Sequence, residues 1–247
     1  MTSLIFPNSS LLMRISFLLF PALFLSVCVF ATEKNTSCTK SELSSQIQIS
    51  MAKPKKEFVP LTLNKFKVTK GKISSTQSGK LFISSTAVRA VSGTATPQEV
   101  ILRFRYLGPT KKMHSLASGK ERHQIGLKIE AENACNLLYV MYRISPKPAL
   151  ALQLKLNPYE SRSRQCSNDG YSTLASETLT TAMLDSRTDE IYVRREGARL
   201  SAGLDGETLI SIELPVGARE LRGKLGLRSD NGIFEAELLH AATPSRY

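Results

Sequence analysis

From about Phe58 onward the chain alternates apolar and polar residues with period two, the spacing that puts successive side chains on opposite faces of a strand. Strands are predicted over Phe66–Val68, Lys80–Ser84 and Val100–Tyr106, then over Gln124–Glu130, Leu137–Ile144 and Leu150–Leu156. The last third adds Ile191–Val193, Leu200–Leu204 and Thr208–Leu214. Gly71, Gly79, the Gly93–Pro97 stretch, Asn133, Pro146, Pro148 and Asn157-Pro158 punctuate them. Asp205-Gly206 and Asn231-Gly232 are the sequence signal of two-residue hairpin turns, in which both central residues need positive φ. Thr178–Asp185 is the one segment expected to form a short helix. Evenly spaced short strands with turn punctuation predict an all-β fold, an antiparallel two-sheet β-sandwich spanning 61–242.

The residues before 61 do not share this pattern. Arg14 precedes the apolar run Ile15–Ala31, and Val29-Phe30-Ala31 places small residues where signal peptidase reads them. Residues 1–31 are therefore expected to be a signal peptide and 32–60 a flexible arm rich in Ser, Thr and Lys. No later run is long and apolar enough to span a bilayer, so no stable membrane span is expected after cleavage. An exported chain, periplasmic or extracellular, follows. In that oxidising setting Cys135 and Cys166, both within the patterned region, are expected to form a disulfide. Cys38 lies in the arm, free or paired between chains. No C-x-x-C and no nearby His supports a zinc site.

Composition narrows the partner. The chain has 33 Lys+Arg against 21 Asp+Glu, a net charge of +12. Arg14 leaves with the leader, so most of this excess stays on the mature protein and favours acidic partners. Nucleic acid is disfavoured, because the chain lacks Trp and an aromatic stacking platform. An acidic polysaccharide or glycan remains.

Two motifs carry a resemblance. Ile191-Tyr192-Val193-Arg194-Arg195-Glu196-Gly197, followed by Leu204-Asp205-Gly206-Glu207, resembles the strand–Gly–strand–Asp-Gly unit of concanavalin A-like jelly rolls. Gly223-Lys224-Leu225-Gly226-Leu227, continuing to Gly232 and Phe234, is similar to their closing strands. The superfamily includes laminin G-like lectin modules, family 16 glucanases, polysaccharide lyases and keto-disaccharide hydrolase-like domains. The resemblance implies a jelly roll and, by analogy, carbohydrate ligands.

Alternation separates two faces on the central strands. Leu102/Phe104/Tyr106, Ile125/Leu127/Ile129, Leu138/Val140/Tyr142/Ile144 and Leu152/Leu154/Leu156 form the apolar set. The opposite set, Arg103, Arg105, Gln124, Lys128, Tyr139, Arg143, Gln153, Lys155 and Asn157, is the candidate ligand-binding face. If these strands are neighbours, the set makes a basic groove. The plainer alternative is an ordinary solvent face, which antiparallel strands usually have. The Glu-x-Asp-x-x-Glu motif of the family 16 glucanases is absent, and Glu235 and Glu237 read as one face of a terminal strand. A lyase would use Tyr139 as base, but the lyase motifs are missing too. The expectation is a non-catalytic carbohydrate-recognition module, with a polysaccharide lyase or a structural cell-surface module as alternatives. No cofactor is required. Asn168, Asp169 and Asp205 are the residues a Ca²⁺ would use, although Asn-Asp-Gly also makes turns without metal. His123 is expected to pack at a strand end, His114 to be exposed.

Overall fold

The computed structural model describes residues 56–116, 118–180 and 188–242. The predicted signal peptide, almost all of the arm and Cys38 lie outside the described residues.

Fifteen strands are described, in two antiparallel sheets. The eight-stranded sheet contains β1 (Phe58–Pro60), β3 (Ile73–Ser75), β4 (Leu81–Ile83), β6 (Glu99–Pro109), β11 (Thr188–Glu196), β12 (Arg199–Leu204), β13 (Glu207–Glu213) and β15 (Gly232–Ala241). Its order is β13-β12-β11-β6-β15-β4-β3, with β1 also paired to β15. The seven-stranded sheet contains β2 (Phe66–Lys70), β5 (Ala87–Ala95), β7 (His123–Ala131), β8 (Leu137–Ser145), β9 (Ala149–Lys155), β10 (Tyr171–Thr178) and β14 (Lys224–Asp230). Its order is β10-β9-β8-β7-β14-β5-β2. The fold class expected from the sequence is the one observed. Phe58–Pro60, at the end of the segment read as an arm, already belongs to the sheet.

The core lies between the sheets, and the apolar set fills it. Leu102 and Phe104 of β6 meet Ile125, Leu127, Val140, Tyr142 and Leu152 of the facing sheet, all buried. Phe104 stands 5.8 Å from the Tyr142 ring and 6.1 Å from Phe234, so one aromatic cluster bridges the two layers. Offset and edge-on ring pairs of this kind add to the area they bury. His123 packs at a strand end as expected, its Nδ1 3.0 Å from the Tyr106 hydroxyl.

Not every local expectation holds. Asp205 and Gly206 both have positive φ (49° and 86°) and close the β12–β13 hairpin as predicted. Asn231 has φ 58°, but no hairpin forms there. β14 and β15 belong to different sheets, so Asn231-Gly232 is where the chain crosses the sandwich. A Cβ at Gly232 would stand 2.5 Å from the Phe234 ring, so the crossing needs glycine for space. The segment expected to be helical starts on the last residue of β10, and residues 181–187 lie outside the described residues. Residues 87–95, AVRAVSGTA, which are not among the predicted strands, form the nine-residue strand β5 between β14 and β2.

Candidate functional site on the outward face of the seven-stranded sheet

Strand register decides which polar residues meet. On the outward face, Tyr139 of β8 sits opposite Lys128 of β7 and Gln153 of β9. Two rows along on the same face, Gln124 sits opposite Arg143 and, on its other side, Asp230 of β14. Gly126 falls between these rows, opposite Arg228, and Gly226 lies opposite Lys128; both leave room for long neighbours. A Cβ on Gly126 would stand 2.9 Å from Met141 Sδ, and one on Gly226 would stand 3.2 Å from Lys128 Cδ.

Five of the nine predicted ligand residues therefore share this face: Gln124, Lys128, Tyr139, Arg143 and Gln153. Lys155 and Asn157 border it but hold a loop. Lys155 Nζ donates to the Ser167 carbonyl at 2.7 Å, and Asn157 Nδ2 donates to the Asp169 carbonyl at 3.0 Å. Arg103 and Arg105 lie elsewhere. β6 is a strand of the other sheet, where Arg103 pairs with Glu190 at 2.9 Å and Arg105 with Glu235 at 2.9 Å. The expectation of one continuous basic face across all four strands is corrected on that point. Alternation assigns a phase within a strand, but not the sheet to which the strand belongs.

Two loops wall the face. The 156–170 loop is tied to the start of β8 by the Cys135–Cys166 disulfide, the pairing expected from the sequence. The 110–122 loop is held by Asn231, which is fully buried. Its Oδ1 accepts from the His114 N–H at 2.8 Å, and its Nδ2 donates to the His114 carbonyl at 2.9 Å and the Arg122 carbonyl at 3.2 Å. His114 itself is exposed, as expected. Between the loops runs a cleft of about 270 Å³, with Leu116, Ser118 and Arg122 on one side and Asn168 and Tyr171 on the other. Gln124, Gln153 and Arg228 form its floor.

Arg228, Arg89 and Asp230 were not among the predicted site residues, yet they organise the face. Asp230 is 1% exposed and both its oxygens are used. Oδ1 accepts from Arg89 Nη2 at 2.6 Å, and Oδ2 accepts from Gln124 Nε2 at 2.7 Å and Arg228 Nε at 3.1 Å. Burial alone would raise this carboxyl, but Arg228, Arg89 and the Gln124 hydrogen bond hold it below the ordinary range. Burial opposes the charge of Arg228, yet Asp230, Tyr139 and Tyr171 together keep its guanidinium firmly protonated. Arg228 lies 4.9 Å over the Tyr139 ring, and Tyr139 stacks on Tyr171 at 5.9 Å. Lys155 lies 5.0 Å from the centre of the Tyr171 ring. The phase of these residues was legible in β14, where Leu225 and Leu227 alternate with Gly226, Arg228 and Asp230. That β14 lies beside β7 was not.

Electrostatically the face is unbalanced. Asp230 is spent on two arginines, and Glu130 at the far end pairs with Arg195 at 2.6 Å. Lys128, Arg143 and Arg122 have no ion pair among the described residues. Desolvation and the nearby Arg122 charge both lower Arg143, whose buried Nε has no hydrogen-bond partner. Burial pushes the Tyr139 phenol well above its ordinary value, which is the wrong direction for a general base at neutral pH.

The residues considered for calcium do not converge. Asp169 closes the 166–169 turn, donating its N–H to the Cys166 carbonyl at 2.7 Å, whereas Asp205 sits at the β12–β13 hairpin of the other sheet and accepts the Glu190 N–H at 2.9 Å. Cys135, Glu160 and Cys166 lie close together, but both sulfurs are in the disulfide, which leaves a single carboxylate as a ligand. Among the described residues no helix is long and apolar enough to cross a membrane.

No protein-family model matches the sequence, and no curated protein does. Solved structures match the fold. The carbohydrate binding module CBM66 from Bacillus subtilis aligns with a TM-score of 0.50 at 14% identity, over 70% of this chain and 91% of the module. A β-glucanase from Bacillus licheniformis aligns with a TM-score of 0.51 at 6% identity, over 76% of this chain and 98% of the enzyme. With its two antiparallel sheets and this strand order, the described chain shares the two-sheet β-sandwich fold of these structures.

Proposed function

We propose that the protein is an exported carbohydrate-recognition module that binds an acidic glycan in the cleft on the outward face of the seven-stranded sheet. The observation that carries the reading is the lining of that cleft. Arg122 and Arg228 supply cationic donors, Gln124, Gln153 and Asn168 supply amides, and Tyr171, 40% exposed, offers a ring edge between them. Amides and an aromatic surface suit sugar hydroxyls and ring faces, and guanidinium groups take carboxylate or sulfate in a two-pronged geometry. One structural neighbour is a carbohydrate binding module, which is consistent with this reading, and the disulfide is compatible with export. Binding without catalysis is favoured over a lyase, because the Tyr139 hydroxyl is buried and held in its neutral form.

A glycan array probed at low and at physiological salt tests the proposal. Acidic glycans should bind and neutral ones should not. Arg122→Ala should weaken acidic-glycan binding by about 1.5–3 kcal/mol, the range for hydrogen bonds to charged groups. Arg105→Ala, on the other sheet, should leave it unchanged. Failure of every acidic glycan to bind at low salt would sink the proposal. Equal losses in the two variants would reduce the interaction to diffuse charge attraction.

A further inference from the structure

Lys128 is a cation without a counter-ion. It is 8% exposed, and its ammonium makes no hydrogen bond or ion pair among the described residues. Its surroundings explain why. The side chain runs over Gly226, with Tyr139 opposite on β8 and the guanidiniums of Arg228 on β14 and Arg89 on β5 as its charged neighbours. The acids in reach are already committed. Asp230 serves Arg89, Arg228 and Gln124, and Glu130 serves Arg195 and the Gly223 N–H at 2.9 Å. Two arginines thus share one carboxylate, and the lysine beside them has none. Arg228 has only its Nε engaged, so its two terminal nitrogens are free to donate. A buried charge left in this condition is costly, and the cost is relieved by an anion or by loss of the proton.

We propose that Lys128, together with Arg228, forms an anion subsite adjoining the cleft, which receives one carboxylate or sulfate group, with Arg89 contributing its positive field and not a donor. Only the source of that anion, an acidic sugar, rests on the functional reading above. Lys128 Nζ and the terminal nitrogens of Arg228 supply the donors, whereas Arg89 spends Nη1 on the Val88 and Ser229 carbonyls and Nη2 on Asp230; Arg228 is shared by the cleft floor and the subsite. The site also senses pH. Burial, with Arg89 and Arg228 adding to it, lowers the Lys128 amine from 10.5 to about 7. Arg228 stays charged and Tyr139 stays neutral, so Lys128 is the group of this set that titrates near neutrality. An entering anion restores the charged form. Above pH 7 binding therefore takes up a proton, and affinity falls as pH rises.

Inorganic sulfate and glucuronate are the probes, with the full chain and its Lys128→Met, Lys128→Arg and Arg105→Ala variants. Affinity is read by calorimetry at pH 6 and pH 9, in two buffers of different ionisation enthalpy, alongside thermal unfolding. Sulfate should bind at pH 6, bind at least about tenfold more weakly at pH 9, and take up a proton at the higher pH. Lys128→Met should lose this binding, and Lys128→Arg should keep it while losing the pH dependence. Arg105→Ala should behave as the unaltered chain. If Lys128→Met does not fold, the proton uptake and the Lys128→Arg profile decide alone. Sulfate affinity that is indifferent to pH, or equal in Lys128→Met, overturns the subsite even where acidic glycans bind. Lys128-dependent sulfate binding without any acidic-glycan binding upholds the subsite and overturns the glycan reading.

Discussion

The two outward faces of the sandwich carry similar cations and handle them in opposite ways. On the eight-stranded sheet, Arg103 and Arg105 alternate along β6 and meet Glu190, Glu235 and Glu237 from the strands on either side. These side chains keep a quarter to two-fifths of their exposure, and each charge is answered within the sheet. On the seven-stranded sheet, Lys128, Arg89 and Arg228 are more deeply placed, and the one carboxylate beside them, Asp230, pairs with the two arginines and leaves Lys128 without a partner. A ladder that balances itself needs no ligand. A face that buries more cation than anion, beside an open cleft, has a place for one. What distinguishes a binding face from a solvent face here is the charge account across strands, not the number of basic residues along any one of them.

The sharpest way to break this comparison is to remove the shared acid on each face. Asp230→Ala would leave Arg89 and Arg228 buried without their partner, a loss that costs about 3–5 kcal/mol. Glu235→Gln on the other sheet removes one half-exposed ion pair and should cost no more than ~1 kcal/mol. Urea unfolding of the two variants measures the difference, and equal costs would mean that the faces are energetically alike. Acid has the same target. Asp230 is held below its unfolded value, so its contribution is present above the unfolded carboxylate range and is lost as pH falls through the folded value.

Next in size is the wall of the cleft. Cys135→Ser paired with Cys166→Ser removes a cross-link between residues 31 apart and should cost about 2–4 kcal/mol, read as a lower midpoint of thermal unfolding. It should also weaken glycan binding, because Asn168 and Tyr171 follow the cross-linked loop. The ion pairs of the eight-stranded sheet should be untouched. Binding that survives reduction unchanged would separate the loop from the site.

Much of this was legible in the sequence, and the rest has a physical reason for being hidden. Alternation found the core face of β6, β7, β8 and β9 correctly, since a one-residue slip would turn Leu127 or Val140 to solvent. It also found the disulfide. It missed β5 and β10, which are built from small or polar residues at or near sheet edges and carry little apolar signal. It misjudged Arg103 and Arg105 because sheet membership is settled by long-range pairing. Arg105 meets Glu235 130 residues away, and Gln124 meets Asp230 106 residues away. Asn231-Gly232 misled for a related reason. Positive φ at Asn231 is local, whereas whether the chain folds back or crosses to the other sheet is not.

Lys128 gives a smaller but cleaner contrast. Its folded amine lies at about 7 against 10.5 in the unfolded chain, so the unfolded state holds the extra proton between those values. Stability should therefore rise with pH across that window, with a slope of up to ~1.4 kcal/mol per pH unit for one proton. Lys128→Met should flatten the slope and be more stable than the parent at pH 6. Unfolding free energies from pH 6 to pH 10 test this. A parent slope unchanged in the variant would place the titration elsewhere.

The smallest effect is expected on the balanced face. A double-mutant cycle on Arg105 and Glu235 isolates their coupling, because each partner can be removed without creating a buried charge. Both side chains are partly exposed, so solvent screens the attraction, and ordering two long side chains offsets much of it. The coupling should be about 0.2–1 kcal/mol and should shrink with added salt. The same cycle on Arg89 and Asp230 should give a larger coupling that salt barely changes, since Asp230 is sealed from solvent. Salt response, more than magnitude, is the discriminating readout. If the Arg105–Glu235 coupling proved as strong and as salt-insensitive as the Arg89–Asp230 coupling, the eight-stranded face would also be a desolvated site, and its arginines would regain a claim to the ligand.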